Sequence, residues 1–178
     1  MTHEDFMRLA IDAARTVPTR PFGTVIVRPA TGDRIAVGVN RSSENPVLHG
    51  EIDAMNRCAS AHPGIDWSEL ALYTTAEPCP MCQSAIVWAG ISVVYYGSSI
   101  PYLQSIGWKQ IDIRAKEVVR RAPFRSVQVV GGILESNCNA LFEAATSACG
   151  RRTRRLDWAP LGPSGCLKGR KSGGLQIA

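Results

Sequence analysis

Apolar residues recur along the chain in two rhythms, and the switches between them mark out its elements. Phe6, Leu9, Ala10, Ala13 and Ala14 keep the three-to-four spacing of one helix face, with Thr2 placed to cap its start and Pro18 beyond its end. The rhythm then shortens. Phe22 to Val27 and Ile35 to Val39 read as paired strands, joined by a hairpin turn at Thr31-Gly32-Asp33. A polar loop, Asn40 to Pro46, follows. Helical spacing returns from Glu51 to Ala61, with Ile52, Met55 and Cys58 or Ala59 inward, and Pro63-Gly64 stops it. Leu70 to Thr75 reads as a third strand. Pro80 to Ala89 reads as a helix with proline in its first turn, where amide protons have no intrahelical partner. Ser92 to Tyr96 is a fourth strand, apolar enough to be central, and Ser98 to Gln110 an irregular loop. A helix from Ile111 to Arg121, a fifth strand from Ser126 to Val130 and a helix from Glu135 to about Cys149 complete the pattern. Strands alternating with helices after an opening hairpin predict an α/β fold, a three-layer α/β/α sandwich around a five-stranded mixed sheet.

Charge changes this picture only at one end. The 178 residues carry a formal charge of +5. Between Gly150 and Ala178 stand seven basic residues and one acid, Asp157, whereas the first 149 residues hold 13 basic and 14 acidic groups. The pattern predicts a near-neutral domain over residues 1–149 and a basic, Gly/Pro/Arg-rich tail over 150–178. A neutral body argues against a surface built to grip long nucleic acid, although Arg151, Arg152, Arg154 and Arg155 can meet phosphates or simply be solvated. No apolar run approaches ~18 residues, which excludes a membrane-spanning helix. Glu4, Asp5 and Asp12 interrupt the apolar residues before Arg15, unlike a secretory signal. Six cysteines in such a chain point to a reducing, cytoplasmic setting. Cys58, Cys138 and Cys149 read as small buried hydrophobes, and Cys166 as an exposed thiol of the tail.

Chemistry concentrates at two predicted helix starts, His49-Gly50-Glu51 and Pro78-Cys79-Pro80-Met81-Cys82. Imidazole and thiolate are preferred zinc ligands, and a catalytic site leaves a fourth position for water. Cysteines at i and i+3 share one side of a first turn, where the positive end of the helix dipole favours the thiolate. Glu51 then stands near such an ion without ligating it, able to take a proton from water and deliver it to a leaving amine. A metal-free buried histidine beside two ordinary cysteines is one alternative. A structural zinc knuckle is another, but it needs a fourth protein ligand and leaves Glu51 without a purpose.

H-x-E combined with P-C-x-x-C is the signature of zinc-dependent nucleobase deaminases. From about Phe6 to Cys149 the sequence resembles the cytidine deaminase-like superfamily, in its guanine deaminase and tRNA adenosine deaminase branch. The resemblance is carried by Pro21-Phe22-Gly23, Asn40, the His49 and Cys79/Cys82 motifs, and Ala85-Ile86-Val87-Trp88. It implies zinc on His49, Cys79 and Cys82, Glu51 as proton shuttle, the five-stranded fold and a homodimer. It also implies a substrate pocket containing Asn40 on the base edge and the Gly50 amide, with Phe22, Trp88, Trp108 and Gln110 as further candidates. Read by themselves, Asn40 is a turn residue, Phe22 a core residue, and Trp88 either pocket wall or dimer core. The branch usually has Ala at the position of Gly50; a missing methyl widens the pocket or loosens the helix start. Guanine deaminases also carry a Gly-Phe-Asp-acid loop nineteen residues beyond the tryptophan, where this chain has Gly107-Trp108-Lys109-Gln110. Gln110 can pair with a base edge but cannot act as a carboxylate base. Glu77, next to Pro78, either orients a metal ligand or is a solvated loop acid. These features favour a free base or small nucleoside as substrate. The alternatives are adenosine in tRNA, suggested by the basic tail, and a deaminase-fold binding protein without turnover.

Overall fold

The structure is a computed structural model that describes residues 1–150, with no account of the side chains of Cys149 and Gly150. The expectations for Cys149, for Cys166, for the arginine run and for the tail lie outside the described residues.

Helix α1 (His3–Arg15) opens on a reciprocal cap: the Thr2 hydroxyl accepts from the Asp5 amide, and the Asp5 carboxylate accepts from the Thr2 amide. Strands β1 (Gly23–Arg28) and β2 (Asp33–Val39) form the opening hairpin. There follow α2 (Gly50–Ala61), β3 (Ala71–Ala76), α3 (Pro80–Ala89), β4 (Val93–Ser98), α4 (Ile100–Ser105), α5 (Ala115–Arg120), β5 (Gln128–Gly131) and α6 (Glu135–Gly150). The sheet order is β2-β1-β3-β4-β5. β1 runs antiparallel to both β2 and β3, while β3, β4 and β5 are parallel, so the sheet is mixed.

The period of two along each strand divides the core between two helical layers. Val25, Val27, Ala71 and Tyr73 pack with Phe6, Met7, Ala10 and Ile11 of α1 and Cys138 of α6. Ile26, Leu72, Val94 and Tyr96 face the other way, onto Ala54 and Cys58 of α2, Ile86 and Val87 of α3 and Ala115 of α5. β3, central, is buried at every position. Cys58 and Cys138 are fully buried thiols, as expected.

Three local expectations are corrected. The inward face of α2 runs through Gly50, Glu51, Ala54 and Cys58, with Met55, as expected, packed half-buried against the same cluster; Ile52 is half-buried away from it and Ala59 is exposed. The face is turned because Gly38 of β2 lets the helix backbone approach so closely that a Cβ there would meet the Ala54 nitrogen and the Gly50 carbonyl at 2.3 Å each. The segment after β4 is irregular only beyond Ser105: the Ser99 hydroxyl accepts from the Tyr102 amide and starts α4, with Pro101 in its first turn. The physical argument that admits Pro80 to α3 admits Pro101 as well. Finally, α5 begins only at Ala115, because Arg114 is extended and caps it, leaving 111–114 outside the helix.

Candidate active site

The sheet brings the starts of α2 and α3 together at one edge of the core. His49 and Cys79 are the N-cap residues of these helices, positions where Ser or Asp usually accepts a backbone hydrogen bond. Neither side chain caps here. Both are left to face one another, and Cys82, one turn into α3, joins them. The His49 Nδ1 atom lies 3.6 Å from the Cys79 Sγ and 3.6 Å from the Cys82 Sγ. Among the described residues, the three donor atoms form a cluster within 4.8 Å.

These spacings test the fit to zinc. Tetrahedral bonds of about 2.3 Å to sulfur and about 2.0–2.1 Å to nitrogen place N and S donors about 3.6 Å apart. Both N–S distances therefore fit zinc, and three protein ligands leave one coordination position open. The cluster's protons agree. Cys79 is pushed down to about 4, first because the Cys82 thiol donates to it and then because His49 does. The same bond and its burial push Cys82 up. His49 is raised by its bond to Cys79. Metal binding at such a site releases the protons that its donors hold.

Glu51 sits in the first turn of α2, 3% exposed. Burial, followed by the negative charge of Cys79, pushes its carboxyl up from 4.5 to about 7. It is a buried acid whose proton is exchangeable near neutrality, directly beside the metal donors.

The expected pocket residues divide into two groups. Asn40, Phe22 and Gly50 are brought together: the Asn40 amide donates to the Phe22 carbonyl at 3.0 Å, and that same carbonyl oxygen would stand 2.7 Å from a Cβ on Gly50. Gly50 is thus required by the approach of β1, and its missing methyl leaves no extra pocket space, contrary to expectation. The Asn40 Oδ1 accepts from the Ser42 amide at 3.1 Å and hydroxyl at 2.7 Å, which directs the side-chain NH2 to any ligand. Trp108 joins this group through edge contacts with Phe22 and Phe142, at ring distances of 5.4 and 5.5 Å. Gln110 follows it, half-buried. Trp88 stands apart: it is 73% exposed and packs on Phe124 at 4.9 Å, in a groove of about 770 Å3 between α3 and α5.

Two neighbours of the site, Arg20 and Asp53, escape a reading of the sequence, and a third, Glu77, is left open by it between two readings. Arg20 donates to Ser42, which holds Asn40, and its charge reaches His49. Asp53, 4% exposed, accepts from the Val39 amide at 3.1 Å and from Arg57, fixing the strand end before Asn40. Glu77 is not a solvated acid; its side chain is 1% exposed and paired with Arg114. Only an acid at a helix's first turn hinted at Asp53, and nothing local marks Arg20.

Such a site binds zinc and keeps a titrating carboxyl beside it, the working parts of a hydrolytic deaminase. Comparison with known proteins agrees. Residues 1–98 match the cytidine and deoxycytidylate deaminase zinc-binding region, and the chain belongs to that family. A guanine deaminase of Bacillus subtilis is 34% identical over 139 residues, which span 71% of this chain and 86% of that protein. A tRNA-specific adenosine deaminase of Buchnera aphidicola is 31% identical over 144 residues, 78% of this chain and 85% of that one. The structure of guanine deaminase from Nitrosomonas europaea superimposes with a TM-score of 0.73 at 23% identity, covering 82% of this chain and 85% of that one; it shares the fold.

Proposed function

We propose that this chain removes the exocyclic amine of a purine-sized base or related amino-heterocycle by hydrolysis and releases ammonia. The observation that carries the reading is Glu51, a carboxyl buried beside three zinc donors and pushed up to about 7. Zinc, when bound, acidifies a water toward neutrality. Glu51 takes the proton from the attacking water and hands it to the departing amine, and a pKa near the working pH serves both transfers. Phe22 and Trp108 supply the apolar wall for the ring. Asn40 donates its NH2 to an acceptor on the ring edge, the Gly50 amide meets a ring carbonyl, and Gln110 pairs as a neutral donor and acceptor. Lys109 and Gln110 stand in place of the acids of guanine deaminases, so the reading covers amino-bearing purines and related rings rather than guanine alone.

A chromatographic screen of guanine, adenine, cytosine, their nucleosides and aminotriazines tests it, with zinc-loaded wild type beside Glu51→Ala of matched zinc content. Product from the wild type alone is expected. Equal turnover by the variant overturns the mechanism, and no product from zinc-loaded wild type favours a binding protein.

A second reading, adenosine deamination in tRNA, is supported by the similarity to the Buchnera enzyme and by the basic excess beyond Gly150. It requires salt-sensitive tRNA binding that truncation after Gly150 removes.

We also propose a homodimer formed on the α3/α5 groove. The groove offers Trp88, Ile113 and Phe124 together with Glu117 and Arg121, so it carries apolar surface and both signs of charge, the self-complementary set an isologous contact needs. Trp88→Glu should convert the dimer to monomer in sedimentation. The compartment we propose is the cytoplasm, a reading supported by the unpaired thiols of Cys58, Cys79, Cys82 and Cys138. Cell fractionation checks it.

A further inference from the structure

The carboxylate of Glu77 receives three N–H groups, one from the start of a segment and two from its end. The Ile100 amide donates to it at 3.0 Å, the Ala115 amide at 2.9 Å, and the Arg114 Nε to both oxygens at 2.8 Å. Ile100 and Ala115 are the first residues of α4 and α5, and both are fully buried. One side chain thus holds both ends of the segment 100–115. The same residue's amide donates to the Ser98 carbonyl at 2.7 Å, and two residues further on stands Cys79. The second nitrogen of Arg114 reaches the Tyr96 hydroxyl at 3.2 Å, tying the far end of the segment to β4.

Between its two pinned ends the segment is of a different character. Leu103 anchors α4 in the cluster with Ala76 and Phe142, and Trp108 packs on Phe22. Lys109, Ile111, Asp112 and Ile113 are exposed. The segment is therefore fixed at both feet, anchored between them by Leu103 and Trp108, and exposed at 109 and 111–113.

We propose that Glu77 is a positioning residue that clasps segment 100–115 to the metal-binding loop, and that the span it holds selects the substrate. Substrate selection here rests on the deaminase reading above; the clasp itself does not. Glu77 touches no metal donor in this arrangement. It acts through Ile100 and Ala115 on the placement of Trp108 and Gln110, while Cys79 is fixed by β3 and the start of α3. Loss of the carboxylate should then loosen the span and spare the metal.

The test uses the full-length zinc-loaded protein and its Glu77→Gln, Glu77→Ala and Arg114→Gln variants. Zinc stoichiometry, native-state tryptic cleavage after Lys109 by mass spectrometry, and KM and kcat on the base found in the screen are measured together. Glu77→Ala should keep its zinc while cleavage after Lys109 accelerates about tenfold or more, because local opening sets that rate. KM should rise about tenfold with kcat changed less than about threefold, the signature of lost positioning rather than lost chemistry. Glu77→Gln keeps one acceptor oxygen and should fall between the alanine variant and wild type. Should Glu77→Ala fail to fold, Arg114→Gln leaves both backbone bonds in place and should still speed cleavage after Lys109. Zinc loss from Glu77→Ala or Glu77→Gln with unchanged cleavage overturns the proposal and assigns Glu77 to the metal loop alone. Unchanged cleavage in Glu77→Gln and Arg114→Gln also overturns it. A chain that deaminates nothing in the screen still answers for the clasp through zinc content and cleavage, so the two failures are distinguishable.

Discussion

The metal cluster and the proposed substrate wall are built on opposite principles. His49, Glu51, Cys79 and Cys82 come from two helix starts, close in sequence within each pair, and the two innermost, Glu51 and Cys82, are buried. The wall draws on Phe22, Asn40, Trp108 and Gln110 from three segments far apart in the chain, and all four are half-exposed. A local motif on rigid backbone fixes donors to a fraction of an ångström, which zinc requires. A wall assembled from loops tolerates change, so chemistry and specificity vary separately.

Cutting the metal cluster should give the largest effect. Cys82→Ala removes a buried donor and should abolish stoichiometric zinc together with ammonia release, a loss of about 10³-fold or more, measured by metal analysis and steady-state kinetics. The same cluster sets how zinc uptake depends on acidity. Cys82 and His49 are raised and hold protons when no metal is bound, so the zinc affinity should climb with pH as those protons leave, which titration in weakly buffered solution reads as proton release.

Glu51 gives the next effect. Its working form as a base is deprotonated, so kcat/KM should fall as pH drops through its pKa, about tenfold for each unit below it. Burial raises that value from 4.5 to about 7, and a bound dication draws it back, so the acidic limb should lie between these two. A kcat/KM with no acidic limb would overturn Glu51 as the base.

The wall should respond more mildly. Phe22→Ala removes a half-buried ring from contact with Trp108 and Phe142, so about 2 kcal/mol of stability and a rise in KM of about tenfold are expected, with zinc content unchanged. Zinc loss in this variant would break the separation between cluster and wall. Gly50→Ala sharpens it from the other side. The new methyl meets the Phe22 carbonyl at 2.7 Å and must push β1 from α2, costing about 1–2 kcal/mol in thermal unfolding. Unaltered stability would mean that β1 yields easily and that the wall is softer than its packing implies.

How much of this is visible in the sequence follows the same division. The rhythm of apolar residues finds all five strands and the long helices, because period and capping are local properties; Thr2 and Asp5 cap α1 as their spacing implies. It misjudges the face of α2, since Gly38 allows a backbone approach that no spacing rule contains. It passes over α4, since Ser99 and Pro101 read equally as turn residues until β4 ends beside them. Arg20 and Asp53 are ordinary charged residues in sequence, Glu77 is marked only by its place beside the cysteine motif, and the partners of the three stand between 4 and 38 positions away.

The sequence by itself determined the two motifs that carry the donors, Glu51 two positions beyond His49, and the pattern of strands and helices, because each is a local property of the chain; that the motifs, thirty positions apart, meet was left to the sheet. The tertiary structure alone decided which strand end Gly50 must admit, that Trp88 belongs to an outer groove, and that one carboxylate holds both ends of the span carrying Trp108. Those facts depend on contacts between segments, whose distances are set by the packing of the whole sheet and are written in no single stretch of sequence.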